Sequence, residues 1–180
     1  MKKNNDNFDI SSLVARIIDT YDEESGVNFI DAANMPVHGK IVDVLALMIE
    51  LVFPGYTGKR TVTRENLEYV TGDLICQIRK ILLQQVELAF RYKCKMDKCN
   101  HCDCRKLAAD TVNCFLTKFP EVREVLKGDV KAAFDGDPAA KSYEEIVISY
   151  PYILAIAIHR IAHELYILEV PLIPRIMSEW

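Results

Sequence analysis

Residues 136–180 read GDPAAKSYEEIVISYPYILAIAIHRIAHELYILEVPLIPRIMSEW, and nearly every local signal in them is helical. Asp137 followed by Pro138 is an N-cap and first-turn pairing, because proline brings a fixed φ and needs no amide hydrogen there. Ser142-Tyr143-Glu144-Glu145 is a capping box, with the Ser142 hydroxyl placed to accept from the Glu145 amide while the Glu145 carboxylate reaches back. A short helix is predicted to follow. It should break at Ser149-Tyr150-Pro151, since a residue before proline is pushed out of the α region. From Ile153 to Leu168 the apolar positions form a stripe too broad for a one-sided surface helix, which predicts burial on several sides. Pro171 and Pro174 are expected to end that helix, leaving Val170-Pro171-Leu172-Ile173-Pro174 as an extended apolar connector.

Upstream the helical period continues. Within Ile10 to Tyr21, Leu13, Ile17 and Tyr21 stand at four-residue intervals, behind Ser11 and Ser12 as caps, and the acidic DEESG of residues 22–26 ends that helix. Met35 to Val52 repeats the pattern through Ile41, Val44, Leu45, Met48, Leu51 and Val52, and Phe53-Pro54-Gly55-Tyr56 is a turn by composition. Thr63 to Tyr92 is the longest periodic segment, with Leu67, Val70, Leu74, Ile78, Ile81, Leu82 and Leu88 on one face and Cys76 as a small core residue. A helix over 106–118, a Pro120-initiated helix to Lys127 and a short one from Asp129 to Phe134 complete the reading. Alternating strand patterns are missing, and so are the recurring aliphatic hexapeptides of a left-handed β-helix. The expected fold is all-α. The 180 residues read as a single helical domain, with a bundle over 1–135 that carries a cysteine-rich loop at 94–104, followed by the segment 136–180.

Half of the residues are hydrophobic, enough for a sizeable core, and the net charge of −4 gives no electrostatic footprint for nucleic acid or anionic membrane. Met1-Lys2-Lys3 leads into Asn and Asp instead of an apolar run, so no signal peptide is read, and no uncharged stretch reaches the ~18 residues that span a bilayer. The expected compartment is the cytoplasm.

Asp137-Pro138-Ala139-Ala140, Ser149-Tyr150-Pro151, Arg160-Ile161-Ala162-His163, Val170-Pro171-Leu172 and Arg175-Ile176-Met177 occur in fixed order over about a quarter of the chain. This segment resembles the part of bacterial serine O-acetyltransferases that leads out of their helical N-terminal domain. Two positions depart from the family pattern, Tyr152 and Glu169, where glycine is usual. The resemblance implies a multi-helix N-terminal domain of the serine acetyltransferase type, with the catalytic histidine and acetyl-CoA site on a left-handed β-helix absent from these 180 residues. It further implies transfer of acetyl from acetyl-CoA to L-serine for cysteine synthesis, with no other cofactor required. A homo-oligomer through the helical domain is implied too, and a cysteine synthase partner only where a C-terminal tail exists. The chain assayed alone is expected to be inactive. The alternative is a non-catalytic oligomerisation or interaction module that keeps the helical fold.

Carried over from the family, Asp137 is the aspartate that helps hold the serine ammonium group; as a residue it is equally an N-cap, and a carboxylate has two oxygens for the two roles. His159 and His163 stand at i and i+4, a spacing that suits one metal, but no third donor is evident and a structural role is the better reading. Arg160 and Glu164 are expected to form an i,i+4 pair. Four of the six cysteines, Cys94, Cys99, Cys102 and Cys104, fall within residues 94–104 together with His101. Such crowding suggests a zinc or other soft-metal site, with His101 or Cys114 as further donors; a reactive thiol patch and a solvated loop with incidental cysteines stay open beside it.

Overall fold

The computed structural model of the protein describes residues 8–21, 26–28, 30, 35–56, 58, 60–99 and 102–180. All regular structure among them is helical, as α1 (Ile10–Ile18), α2 (His38–Val52), α3 (Leu67–Met96), α4 (Cys104–Thr117), α5 (Phe119–Gly136), α6 (Tyr143–Ser149), α7 (Pro151–Ile167) and α8 (Ile173–Ser178). The chain divides into two compact units, residues 1–33 and 34–180. The first holds α1, whose cap is Asp9 and not a serine: the Asp9 carboxylate accepts from the Ser12 amide at 3.2 Å. Of the acidic DEESG stop, residues 22–25 lie outside the described residues.

The second unit is organised around α2. Ile41, Val44, Leu45 and Met48 have no solvent exposure, and the helix packs on α3, α7 and α8. Neither end of α2 carries its own cap. Gln85 of α3, itself buried, accepts from the Val37 amide at 2.8 Å, and the Arg123 guanidinium of α5 donates to the Leu51 and Val52 carbonyls at 3.0 and 3.1 Å. Two neighbours thus satisfy helix-end groups that would otherwise be orphaned. Phe53-Pro54-Gly55-Tyr56 then turns with Gly55 at φ 86, the glycine position of a type II turn.

The α3 face is close to the expected one, through Val70, Leu74, Ile78, Leu82, Val86, Ala89 and Phe90. Cys76 is exposed, correcting its reading as core: it lies two residues from both Leu74 and Ile78, on the opposite side of the wheel. The two short helices expected over 120–134 are one helix, α5, in which Gly128 causes no break. Ser142 does cap α6 by accepting from the Glu145 amide at 3.2 Å, while the Glu145 carboxylate reaches back one residue further, to the Lys141 amide at 2.9 Å. α6 and α7 meet at 77° across Ser149-Tyr150-Pro151.

α7 buries a single stripe, Ile153, Ala157, Ile158, Ile161, Ala162 and Leu165, and leaves Tyr152, Leu154, Tyr166 and Ile167 exposed, so the expected burial on several sides does not occur. Its end is a complete Schellman exit: Val170 N–H donates to the Leu165 carbonyl at 3.1 Å and Glu169 N–H to Tyr166 at 2.9 Å, with Glu169 itself left-handed at φ 56. The expected apolar connector is shorter than read. Leu172, at φ 64, makes a tight turn in which Ile173 N–H donates to Pro171 at 2.7 Å, and Pro174 sits in the first turn of α8 instead of closing a strand-like run. No single helix among the described residues is long and apolar enough to cross a membrane.

Candidate functional site

Asp137 lies where α5 ends, in extended backbone at φ −116 and ψ 103. It begins a single turn, closed by Ala140 N–H on the Asp137 carbonyl at 3.1 Å, and no helix follows directly; the N-cap expectation is corrected to an aspartate-initiated β-turn with proline at its second position. Both carboxylate oxygens are engaged. Oδ1 accepts from the Ala139 amide at 2.9 Å, and Oδ2 accepts from the Tyr150 hydroxyl at 2.5 Å. Hydrogen bonding from Tyr150 and then from the Ala139 amide holds the Asp137 carboxyl below its usual range, and the same contact pushes the Tyr150 hydroxyl up to about 12. The bond joins two of the sequence motifs, the DPAA turn and the SYP corner.

Sequence reasoning places Tyr150 ahead of a proline and within the SYP motif, but misses its bond to Asp137. Its ring also meets Tyr152 edge-on at 5.6 Å, so the position that departs from the family's glycine packs against the hydroxyl-bearing ring. The half-exposed Asp137 carboxylate is thereby fixed as an anion at a surface turn, an arrangement suited to receive a cation.

Arg160 does not pair with Glu164. Its guanidinium makes a two-pronged contact with Asp129 of α5, at 2.6 and 2.7 Å, because α5 packs against that side of α7. The partly buried pair ties the helix before the DPAA turn to the helix after the SYP corner, and it raises the Arg160 pKa. His159 and His163 are exposed and stack at 6.0 Å, followed by Tyr166 on His163 at 6.2 Å, an imidazole–phenol row along the solvent side of α7.

The cysteines gather at the α3–α4 junction. α3 ends in a second Schellman exit, in which Cys99 N–H donates to the Cys94 carbonyl at 2.9 Å and Lys98 N–H to Lys95 at 3.4 Å, with Lys98 left-handed at φ 52. α4 opens at Cys104 behind the Asp103 cap, which accepts from the Lys106 amide at 3.0 Å. The reversal brings Sγ of Cys94 and Cys104 to 3.5 Å, and Cys94, Cys102 and Cys104 all lie within 4.8 Å of one another. Hydrogen bonding to Cys104 and partial burial push the Cys94 thiol up to about 12, and Cys102 is raised chiefly by Cys104. Cys99 lines the same depression but is outside that trio, Cys114 is exposed further along α4, and His101 lies outside the described residues.

No family model matches the chain. A serine acetyltransferase of plasmid origin from Synechococcus elongatus is 33% identical over 132 residues, covering 72% of this chain and 41% of that protein. Serine acetyltransferase of Bacillus subtilis is 44% identical over 55 residues, 31% of this chain and 25% of that protein. The chain therefore spans well under half the length of the curated relatives it matches. Among solved structures, serine acetyltransferase isoform 3 of Entamoeba histolytica, crystallised with cysteine, superposes with a TM-score of 0.59 at 23% identity over 94% of this chain and 53% of that one. Serine acetyltransferase 1 of the same organism, in complex with L-cysteine, gives 0.58 at 24% identity over 75% of this chain and 44% of that one. At those identities the likeness is one of fold, while the sequence match carries the kinship. Over its helical region, this chain is similar in sequence to serine acetyltransferases and shares their helical fold.

Proposed function

We propose that this chain forms the helical, serine-side part of a serine O-acetyltransferase, which transfers the acetyl group of acetyl-CoA to the L-serine hydroxyl and releases O-acetyl-L-serine and CoA. The observation that carries the reading is the match over 132 residues to a serine acetyltransferase, a stretch that takes in most of the second unit. In this reading Asp137 receives the serine ammonium, and the hydroxyl of Tyr150 positions it. The stronger attraction of a fixed, ionised carboxylate for an ammonium supports that role. The catalytic base and the acetyl-CoA site belong to the family's β-helix. The helical segments described here serve substrate orientation and assembly into a homo-oligomer, and acetyl-CoA is a co-substrate.

A chimera tests this directly. The matching helical region of the Synechococcus elongatus relative is replaced by this chain, and O-acetylserine formation is measured beside acetyl-CoA binding. Serine acetylation by the chimera is expected. A folded chimera that binds acetyl-CoA and leaves serine untouched would overturn the reading. The 180-residue polypeptide by itself is expected to produce no O-acetylserine, because loss of a general base alone costs about 10²- to 10⁴-fold; titratable turnover by it would refute this division of labour.

A further inference from the structure

The thiols of Cys94, Cys102 and Cys104 have no part in the proposed acetyl transfer, yet they converge from three different local structures. Cys94 is in the last turn of α3, Cys102 is in the reversing loop, and Cys104 is the first residue of α4. Their sulfur atoms are separated by 3.5 Å for the closest pair and by no more than 4.8 Å for any pair. A tetrahedral zinc with metal–sulfur bonds of about 2.3 Å sets neighbouring sulfurs about 3.8 Å apart. The closest pair is within about 0.3 Å of that edge and no pair exceeds it by more than about 1 Å, so small side-chain adjustments would complete three corners.

The surroundings suit a metal–thiolate centre. Three thiolates around one divalent cation leave a net negative charge, and Lys95, Lys98 and Arg105 line the same depression. Cys104 also stands at the amino end of the fourteen-residue α4, where the helix dipole favours a negative sulfur. The three are free thiols, with the closest sulfurs 3.5 Å apart. Soft thiolate donors select zinc or a monovalent copper ion over magnesium or calcium.

We propose that Cys94, Cys102 and Cys104 bind one zinc ion as thiolates, fastening the end of α3 to the start of α4. Three metal–sulfur bonds form as three thiol protons pass to solvent, with no change of oxidation state.

The test uses the whole chain, purified under reductant and never exposed to chelator, with metal measured by elemental analysis and by zinc titration against a chromophoric competitor. Wild type is expected to hold about one zinc per chain. Cys102→Ser should lower zinc affinity at least a hundredfold, whereas Cys114→Ser, on the exposed side of α4, should bind as wild type does. Cys102 is exposed, and retained helicity by circular dichroism confirms that its loss is not unfolding. Cobalt(II) added to metal-free wild type should produce thiolate-to-metal absorption in the near ultraviolet, and Cys104→Ser should weaken it. Less than a tenth of an equivalent of zinc with no saturable uptake, no thiolate band with cobalt, or equal zinc affinity in Cys102→Ser and Cys114→Ser would each overturn the proposal.

Discussion

Asp137 and Tyr150 stand thirteen residues apart, and each looks ordinary alone: one opens a turn, the other precedes a proline. Their hydrogen bond gives both a chemical state. Because the folded carboxyl is depressed, its contribution to stability is complete above the ordinary aspartate pKa of about 3.9 and is lost as pH falls through the lower folded value. Tyr150→Phe should therefore melt below wild type by a constant margin from pH 7 to about pH 5, a margin that closes below about pH 4; melting curves across that range check it, and a margin that persists in acid would show that the bond does not set the carboxylate's state. In an active chimera, Asp137→Ala should lower kcat/KM for serine by roughly ten- to a hundredfold with acetyl-CoA affinity unchanged, as for one lost charge-assisted bond. Unchanged serine kinetics would leave Asp137 as a turn residue only. Glu169 carries a different message: its left-handed backbone is the conformation for which the family's glycine is suited, and the structure keeps the exit motif despite the side chain. Glu169→Gly should raise stability by about 0.5–1 kcal/mol, the relief of steric strain exceeding the added freedom of the unfolded chain. The denaturant midpoint is the measurement. Asp137 stands out in the sequence because its motif is local; its bond to Tyr150 does not, because a contact across a turn and a whole helix leaves no mark in spacing.

Among the elements, the helices with one apolar face were read closely, α2 and α3 above all, because burial follows the 3.6-residue period wherever a neighbour covers one side. The errors have a common origin. The sequence reading divides 120–134 after Lys127 and ends a helix at Pro174, whereas Gly128 lies inside α5 and Pro174 inside the first turn of α8, where a missing amide hydrogen costs nothing. The packing of Leu126 and Val130 on either side of Gly128 outweighs its weak propensity. A methyl group built at Gly128 meets nothing within 4 Å beyond the adjoining residues and backbone of its own helix. Gly128→Ala is thus expected to stabilise the protein by about 0.5–1 kcal/mol, read as a shifted thermal or urea transition, and a loss of stability would mean that α5 needs flexibility at that point. The breadth of the α7 stripe misled in the opposite direction. Its apolar residues exceed what this chain covers, and only the stripe facing α2, α5 and α8 is buried.

At the scale of the molecule, the all-helical class and the family resemblance were legible from residues 136–180, while the polar fastenings between helices were not. Gln85 and Arg123 are unremarkable in sequence, yet they close the two ends of α2 from different helices. Removing the guanidinium leaves two carbonyls at the α2 terminus without it. Arg123→Met should cost about 1.5–3 kcal/mol, lowering the melting temperature by roughly 3–12 °C for a chain of this size; a shift within a degree would show that water replaces the arginine at no cost. The cysteine trio had been legible as a cluster, but which thiols converge depended on the left-handed exit at Lys98. That exit also has a kinetic meaning. α3 and α4 share the most extensive helix pairing of the fold, and only residues 97–103 separate them, so their docking requires closure of a loop of the kind that closes in about 10–100 ns. The packing of α2 on α8 joins the two ends of the second unit and pays the largest closure entropy. By closure entropy alone, adjacent helices such as α3 and α4 are expected to pair before α8 closes over α2, so the short reversal where the thiols meet is also one of the places where the chain can first acquire its shape.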